Sequence, residues 1–420
     1  MANPTSSGRI VIEIDPEQKR ELYSALALSG STLKDWFIKS AAEYCAERRQ
    51  LSLFNHNSSD TGAQYEAAPD LEQIPRRGSH LLDRMPQLSL KKSLTVVSMF
   101  SGCGGMDLGF TGGFEFMGRS YPQLPFSIIW SNDNNKAACK TYTHNLGHDI
   151  ACGDVWDFID KLPGEADVLV GGFPCQDISI NGKRAGINGP RTGLYRAMVE
   201  GVKRTRPKVF VAENVKGLLI GDNREALAQV LSDFGSLGYA VGYKLYRVAD
   251  YGVPQMRERV IIVGTSSEVN PFTPPEPERS SSEWITAEEA IGDLETVQEN
   301  RDLNHIWSRA NPSPEQGNRR LTAARPSHTI RAECHGNIQF HYSLPRRISM
   351  REAARIQSFP DSFIFQSGLR ETERQVGNAV PPVFAWHVAC SVLRCFQRSP
   401  RKHVAQTDQP LNNSFDGIQS

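Results

Sequence analysis

The sequence predicts an α/β protein built on an open, doubly wound sheet, with its chemistry gathered where the strands end. Three apolar runs carry that expectation. Leu94-Thr95-Val96-Val97-Ser98-Met99-Phe100 feeds a glycine-rich turn, Ser101-Gly102-Cys103-Gly104-Gly105. Asp167-Val168-Leu169-Val170-Gly171-Gly172-Phe173 runs into Pro174-Cys175-Gln176, and Val209-Phe210-Val211-Ala212 runs into Glu213-Asn214-Val215. Short apolar runs bounded by glycine or polar residues are the pattern of strands buried on both faces. In open α/β sheets, ligands collect in the crevice outside the carboxyl ends of such strands. Two strand ends thus deliver a thiol and a carboxylate to one crevice. A cysteine there can add to an electrophilic carbon, while a nearby acid manages the charge that results.

In chain order, residues 1–48 read as a separate module. Arg9-Ile10-Val11-Ile12-Glu13-Ile14 alternates like a half-buried strand. Asp15, Pro16 and Gln18 form a helix start, and Gly30 a stop. A second helix opens at Ser31, with Leu33, Trp36, Phe37, Ala41 and Tyr44 on one face. This strand-helix-helix order resembles the ribbon-helix-helix fold. The resemblance implies a homodimer made by pairing strands, and an operator-reading ribbon whose outward residues are Arg9, Val11 and Glu13. Glu13 opposes phosphate contact. Residues 49–90 lack periodicity and read as a linker; residues 399–420 read as a disordered tail.

The main domain is expected from residue 91, with its cofactor and catalytic part extending to 265. Glycines in the first turn let backbone approach a ligand closely. The G-x-G-x-x-G dinucleotide fingerprint fails, because Asp107 stands at its last glycine. Ile128-Ile129-Trp130-Ser131-Asn132-Asp133 is a further strand, ending in a carboxylate suited to a ribose diol. Cys152-Gly153-Asp154-Val155 follows, where Asp154 can accept from an adenine amino group.

Composition is that of an ordinary globular protein, with 39% hydrophobic and 22% charged residues among 420. No apolar run approaches a membrane span and no signal-peptide pattern is present, which predicts a cytoplasmic chain. Eight scattered cysteines without C-x-x-C spacing argue against a zinc site or a disulfide framework. Net charge is zero, but nine arginines and three acids lie between Leu303 and Arg355. That local excess suits phosphate and base-edge contacts.

These residues form an ordered series that resembles the DNA cytosine-5 methyltransferases over roughly residues 93–395. Phe100-Ser101-Gly102-Cys103-Gly104-Gly105 resembles the family's first motif, Gly172-Phe173-Pro174-Cys175-Gln176 its nucleophile loop, and Glu213-Asn214-Val215 its acid motif. Gln255-Met256-Arg257-Glu258-Arg259 resembles its Q-x-R-x-R motif. Residues 347–360 resemble its long late motif, and Gln375 to Pro382 its closing one. Asp133 departs from the glutamate that many members carry.

The resemblance implies a Rossmann-like S-adenosylmethionine-dependent domain, a target-recognition domain over 266–345, and late motifs over 346–398 that return to the catalytic domain. Its implied cofactor residues are Phe100, Gly102, Gly104, Gly105, Asp133, Asp154, Val155, Pro174, Asn378 and Val380. It makes Cys175 the nucleophile at carbon 6 of a flipped cytosine and Glu213 the acid at N3, with Arg257 and Arg259 holding the base. Gln176, Ser179, Lys183, Arg184 and Arg191 are expected on a mobile DNA-closing loop, and Arg325 and Arg331 in the recognition segment. Asn214 is expected to orient backbone rather than react. Double-stranded DNA is the implied partner, without metal or membrane, in a bacterial restriction-modification setting. Two alternatives stay open: an RNA cytosine-5 methyltransferase, and an autoregulator that binds DNA through the N-terminal module.

Overall fold

The computed structural model describes residues 93–174, 194–221, 223–309, 319–332 and 339–397. The expected N-terminal module, the linker, the tail and the loop carrying Cys175, Gln176, Ser179, Lys183, Arg184 and Arg191 lie outside the described residues. So do Cys334 and His335.

The strands are β1 (Leu94–Met99), β2 (Phe114–Phe116), β3 (Arg119–Tyr121), β4 (Phe126–Asp133), β5 (Ala151–Cys152) and β6 (Val168–Gly171). They continue with β7 (Val209–Val215), β8 (Ala240–Arg247), β9 (Gln255–Met256), β10 (Glu258–Thr265) and β11 (Ser327–His328). The helices begin with α1 (Gly105–Thr111), α2 (Lys136–Leu146), α3 (Val155–Phe158), α4 (Leu194–Thr205) and α5 (Asn223–Gly235). The rest are α6 (Ala287–Ile291), α7 (Met350–Ile356), α8 (Leu369–Asn378) and α9 (Pro382–Cys395).

The main sheet runs β5-β4-β1-β6-β7-β10-β8. From β5 to β7 all pairings are parallel, whereas β10 is antiparallel to both its neighbours. The doubly wound expectation holds for the parallel part. Between β8 and β10 the chain has only residues 248–257, which include β9 and leave no room for the helical crossover that a parallel pair needs.

Side chains along the central strands alternate between two cores. Val96, Val168, Val170, Val209, Val211, Ile261 and Val263 face one side, with α9 and Phe110 of α1. Val97, Met99, Leu169, Phe210, Ala212, Val260 and Ile262 face the other, with residues of α4 and α5. Burial on both faces explains why these strands read as continuous apolar runs. Each fully buried Val or Ile contributes roughly 1.5–3 kcal/mol. On α4, Tyr195, Met198, Val202 and Thr205 form the buried stripe of an amphipathic helix. On α9 nearly every side chain is buried, because it lies inside the first core.

A third core draws on Ile285, Ala287 and Ile291 around α6, Leu321 and Ile330, and Ile348, Ile356, Phe359, Phe363, Phe365 and Val376. Both short helices carry capping boxes, Thr286 with Glu289 on α6 and Ser349 with Glu352 on α7. The expected recognition segment and the late motif thus share one apolar cluster.

Glu373 on α8 gives a pH prediction. Burial pushes its carboxyl up to about 7, against the opposing pull of Arg347 and Arg370. The folded state therefore holds this proton where the unfolded chain has released it, and stability falls as pH rises from about 4.5 towards 7. Glu373→Gln is expected to raise Tm at pH 8 and leave it nearly unchanged at pH 4. Thermal melts at the two values check this.

Candidate active site

The strand order reverses at β1, where the chain first winds outward to β4 and β5 and later returns through β6 to β7. The crevice at that switch point is a cavity of ≈ 1030 Å³. Its floor is the turn after β1. Phe100 adopts φ 57°, a left-handed backbone that a non-glycine residue holds only when its surroundings enforce it. The Ser101 amide is tied to the Asn132 carbonyl at 2.9 Å. Gly105 opens α1 directly beneath the closing motif. A Cβ there would lie 2.5 Å from the Val380 carbonyl oxygen, so only glycine permits this approach.

One wall is the end of β4. Asp133 accepts the Gly102 amide on one carboxylate oxygen at 2.8 Å and the Asn135 amide on the other at 2.9 Å. Burial raises its pKa, and those two amides pull it partway back. Asn132, turned to the other side of the strand, donates to the carbonyls of Ala151 and Gly153 at 2.7 and 3.0 Å. It thereby fixes the loop that carries Asp154. Asp154 caps α3 by accepting from the Trp156 amide at 3.0 Å. Cys103 also lines the cavity, but burial, followed by the charge of Asp133, pushes its thiol far up. It is an unionised thiol and a poor nucleophile.

The opposite wall is catalytic in character. β7 extends through Val215, so Glu213 lies inside the strand, paired with Ile261, rather than at its tip. Arg259 stands diagonally across the β7–β10 pair, with its Nε 2.6 Å from Glu213 Oε1. Both side chains are about nine-tenths buried. Asn214 donates to the Phe173 carbonyl at 3.0 Å, anchoring the backbone immediately before Pro174 and Cys175. Its expected orienting role has this geometric form.

Arg257 is buried in a different way. Its guanidinium donates to the carbonyls of Ile330 at 2.9 Å, Gly377 at 2.9 Å and Ala379 at 3.1 Å. Burial, with Arg259 second, holds its pKa well below the ordinary arginine value. These three carbonyls, rather than the open part of the cavity, take the donation of its Nη1 and Nη2.

Residues 94–317 and 305–394 match the family described as C-5 cytosine-specific DNA methylase. The chain belongs to this DNA methylase family. This methylase is 36% identical over 341 residues to the type II methyltransferase M.NgoFVII of Neisseria gonorrhoeae, covering 73% of this chain and 88% of that one. The type II methyltransferase M.MthTI of Methanothermobacter thermautotrophicus is 34% identical over 339 residues, covering 72% and 98%. Among solved structures, the S. pombe Dnmt2 methyltransferase has a TM-score of 0.52 at 18% identity, covering 72% of this chain and 98% of that one. That likeness speaks to the fold alone. Membership makes the chain an enzyme of the S-adenosylmethionine-dependent class that methylates cytosine in DNA at carbon 5.

The cavity of this methylase gathers Phe100, Gly102, Gly105, Asp133, Asp154, Val155, Pro174, Glu213, Arg257, Arg259, Arg331, Asn378 and Val380. Gly104 lies behind the turn at φ 95°, packed against Tyr142 and Leu146. Arg325 is an exposed residue away from the cavity, whereas Arg331 is exposed at its wall. Sequence reasoning did not single out Asn132, Lys216 or Thr329, which also line the cavity. A signal existed for Asn132, since strand alternation turns it away from Asp133 and towards the next loop. Lys216 carried none, because its partner Glu258, at 2.8 Å, is 42 residues away.

Proposed function

We propose that the chain methylates carbon 5 of a cytosine flipped out of a short, specific duplex DNA sequence, as the modification enzyme of a restriction-modification system in the cytoplasm. The observation that carries this reading is the buried Glu213–Arg259 pair, which faces the same cavity as Asp133 and the turn after β1.

The cavity suits S-adenosylmethionine. Asp133 spends one lone pair of each carboxylate oxygen on backbone amides and keeps others for a ribose diol. Gly105 keeps the floor low, and Asp154, Val155, Asn378 and Val380 line the remaining length. Pro174 borders the reacting end. When bound, the cofactor supplies an electrophilic methyl group on a sulfonium. Gly105→Ala is expected to raise the cofactor dissociation constant about tenfold or more, because the clash with the Val380 carbonyl must lift the closing motif. Calorimetric titration of wild type and variant checks this.

Cytosine carbon 5 is too poor a nucleophile to react unaided. In this reading the Cys175 thiolate forms a bond to carbon 6, and the displaced electron pair moves towards N3, where Glu213 shares a proton. Arg259 holds the Glu213 carboxyl in place. Carbon 5 is then an enamine carbon and takes the methyl group. Loss of its proton returns an electron pair to the ring, which breaks the carbon–sulfur bond and releases the thiolate. The loop from Gln176 to Arg191, with Ser179, Lys183 and Arg184, supplies phosphate contacts, as do Arg325 and Arg331.

The test is a genome-wide conversion-sequencing map of a methylation-deficient host expressing the chain. Methylation at one short motif supports the reading and supplies the target sequence. Unmodified DNA, with soluble chain that binds the cofactor, would redirect the assignment to RNA. The N-terminal module would act as an operator binder only if residues 1–60 retain promoter DNA and Arg9→Ala abolishes retention.

A further inference from the structure

Gln255 and Gln357 do not line the cavity, yet both are wholly buried. Their amides form a directed chain. The Ile330 amide donates to Gln255 Oε1 at 2.9 Å, Gln255 Nε2 donates to Gln357 Oε1 at 2.5 Å, and Gln357 Nε2 donates to the Ala379 carbonyl at 2.6 Å. Arg257 closes the chain into a ring, since its guanidinium donates to the carbonyls of both Ile330 and Ala379.

The two backbone stations of this ring belong to different parts of the site. Ile330 follows β11, which pairs in parallel with β9, and it precedes Arg331 at the cavity wall. Ala379 lies between Asn378 and Val380 on the cofactor side of the same cavity. The two backbones also meet beside the ring: a Cβ on Gly377 would lie 2.4 Å from the Arg331 carbonyl carbon. No apolar packing alone would fix the register of such a contact. A buried ring in which both side-chain amides are hydrogen-bonded at oxygen and nitrogen does fix it, with Gln255 Nε2 also reaching the Ile356 carbonyl at 3.2 Å, because a slip of either segment strands several polar groups at once.

We propose that Gln255 and Gln357 are positioning residues that lock the DNA-facing segment at Ile330 to the cofactor wall at Ala379, so that one residue in contact with neither ligand sets the affinity for both. This rests on the functional reading above. Within it, the ring explains why the Q-x-R-x-R and late motifs each carry a buried glutamine.

The test uses the full chain, with steady-state methyl transfer from S-adenosylmethionine to unmethylated duplex DNA and KM measured for each substrate. Gln357→Met keeps volume but removes both ring bonds. It is expected to raise KM for cofactor and for DNA together, each about tenfold, with kcat changed far less. Gln357→Glu keeps the acceptor for Gln255 but sets a carboxylate oxygen against the Ala379 carbonyl. Its two KM values are expected to fall towards wild type as pH drops and the acid regains a donor proton, a recovery that wild type does not show. A lowered Tm with both KM values unchanged, a shift in only one KM, or a pH-flat Glu variant would each overturn the proposal. Wild-type turnover on DNA is the separate check on the functional reading, because its absence would fault that reading and not the ring.

Discussion

Cys175→Ala is expected to abolish methyl transfer, by about 10⁴-fold or more, while leaving cofactor affinity within a factor of about two. The size follows from the chemistry. Without a bond at carbon 6 the cytosine ring has no enamine, so carbon 5 cannot attack a methyl group at a useful rate. Among the described residues, no other thiol can stand in. Cys103 shares the cavity, but burial and the neighbouring Asp133 hold it protonated. Radiolabelled methyl transfer and calorimetry on the same preparation read the two quantities. Substantial residual transfer would show that another group provides the electron density.

Glu213→Gln is expected to carry the second-largest effect, with a loss of about 10²–10⁴-fold in rate from removing the acid at N3. A second consequence is structural. The substitution takes the carboxylate from a pair whose members are both about nine-tenths buried and leaves the Arg259 charge in low dielectric. Breaking such a pair from one side costs about 3–5 kcal/mol. A lowered Tm should therefore accompany the lost activity, and rates must be taken well below it. Glu213→Gln/Arg259→Met removes the orphaned charge and should recover stability without recovering rate. Recovery of both would mean that Glu213 serves the fold alone.

The parts of the fold that were legible in the sequence are those whose environment is the same on both sides. Val96 and Val97, Leu169 and Val170, and Val211 and Ala212 face opposite cores, so their strands read as unbroken apolar runs. β8, at the sheet edge, mixes Lys244 and Arg247 with Tyr243, Leu245 and Tyr246 and gave no such run. The β2–β3 hairpin turns at Met117 and Gly118 and has strands of three residues, too short for a period to register. Within the site, Asp133 and Glu213 were legible because each is a charge set into an apolar strand. The use of Arg257 was not, since its partners are backbone carbonyls 73 to 122 residues further along the chain. No side-chain pattern marks a carbonyl as an acceptor.

The third core constrains how target preference can be exchanged between relatives. Leu321 and Ile330, near the residues expected to read DNA, are packed with Phe359 of the late motif and with Phe363 and Val376 beyond it. A graft that moves residues 266–345 alone would bring a foreign apolar surface against a resident one, leaving voids or overlaps at the seam. A transplant that also carries residues 346–376 keeps most of the cluster together, leaving Cys103, among the described residues, as its one fully buried member outside the block. Recombination between family members is thus favoured at crossovers that keep these two stretches together, and new specificities should be inherited as that larger block.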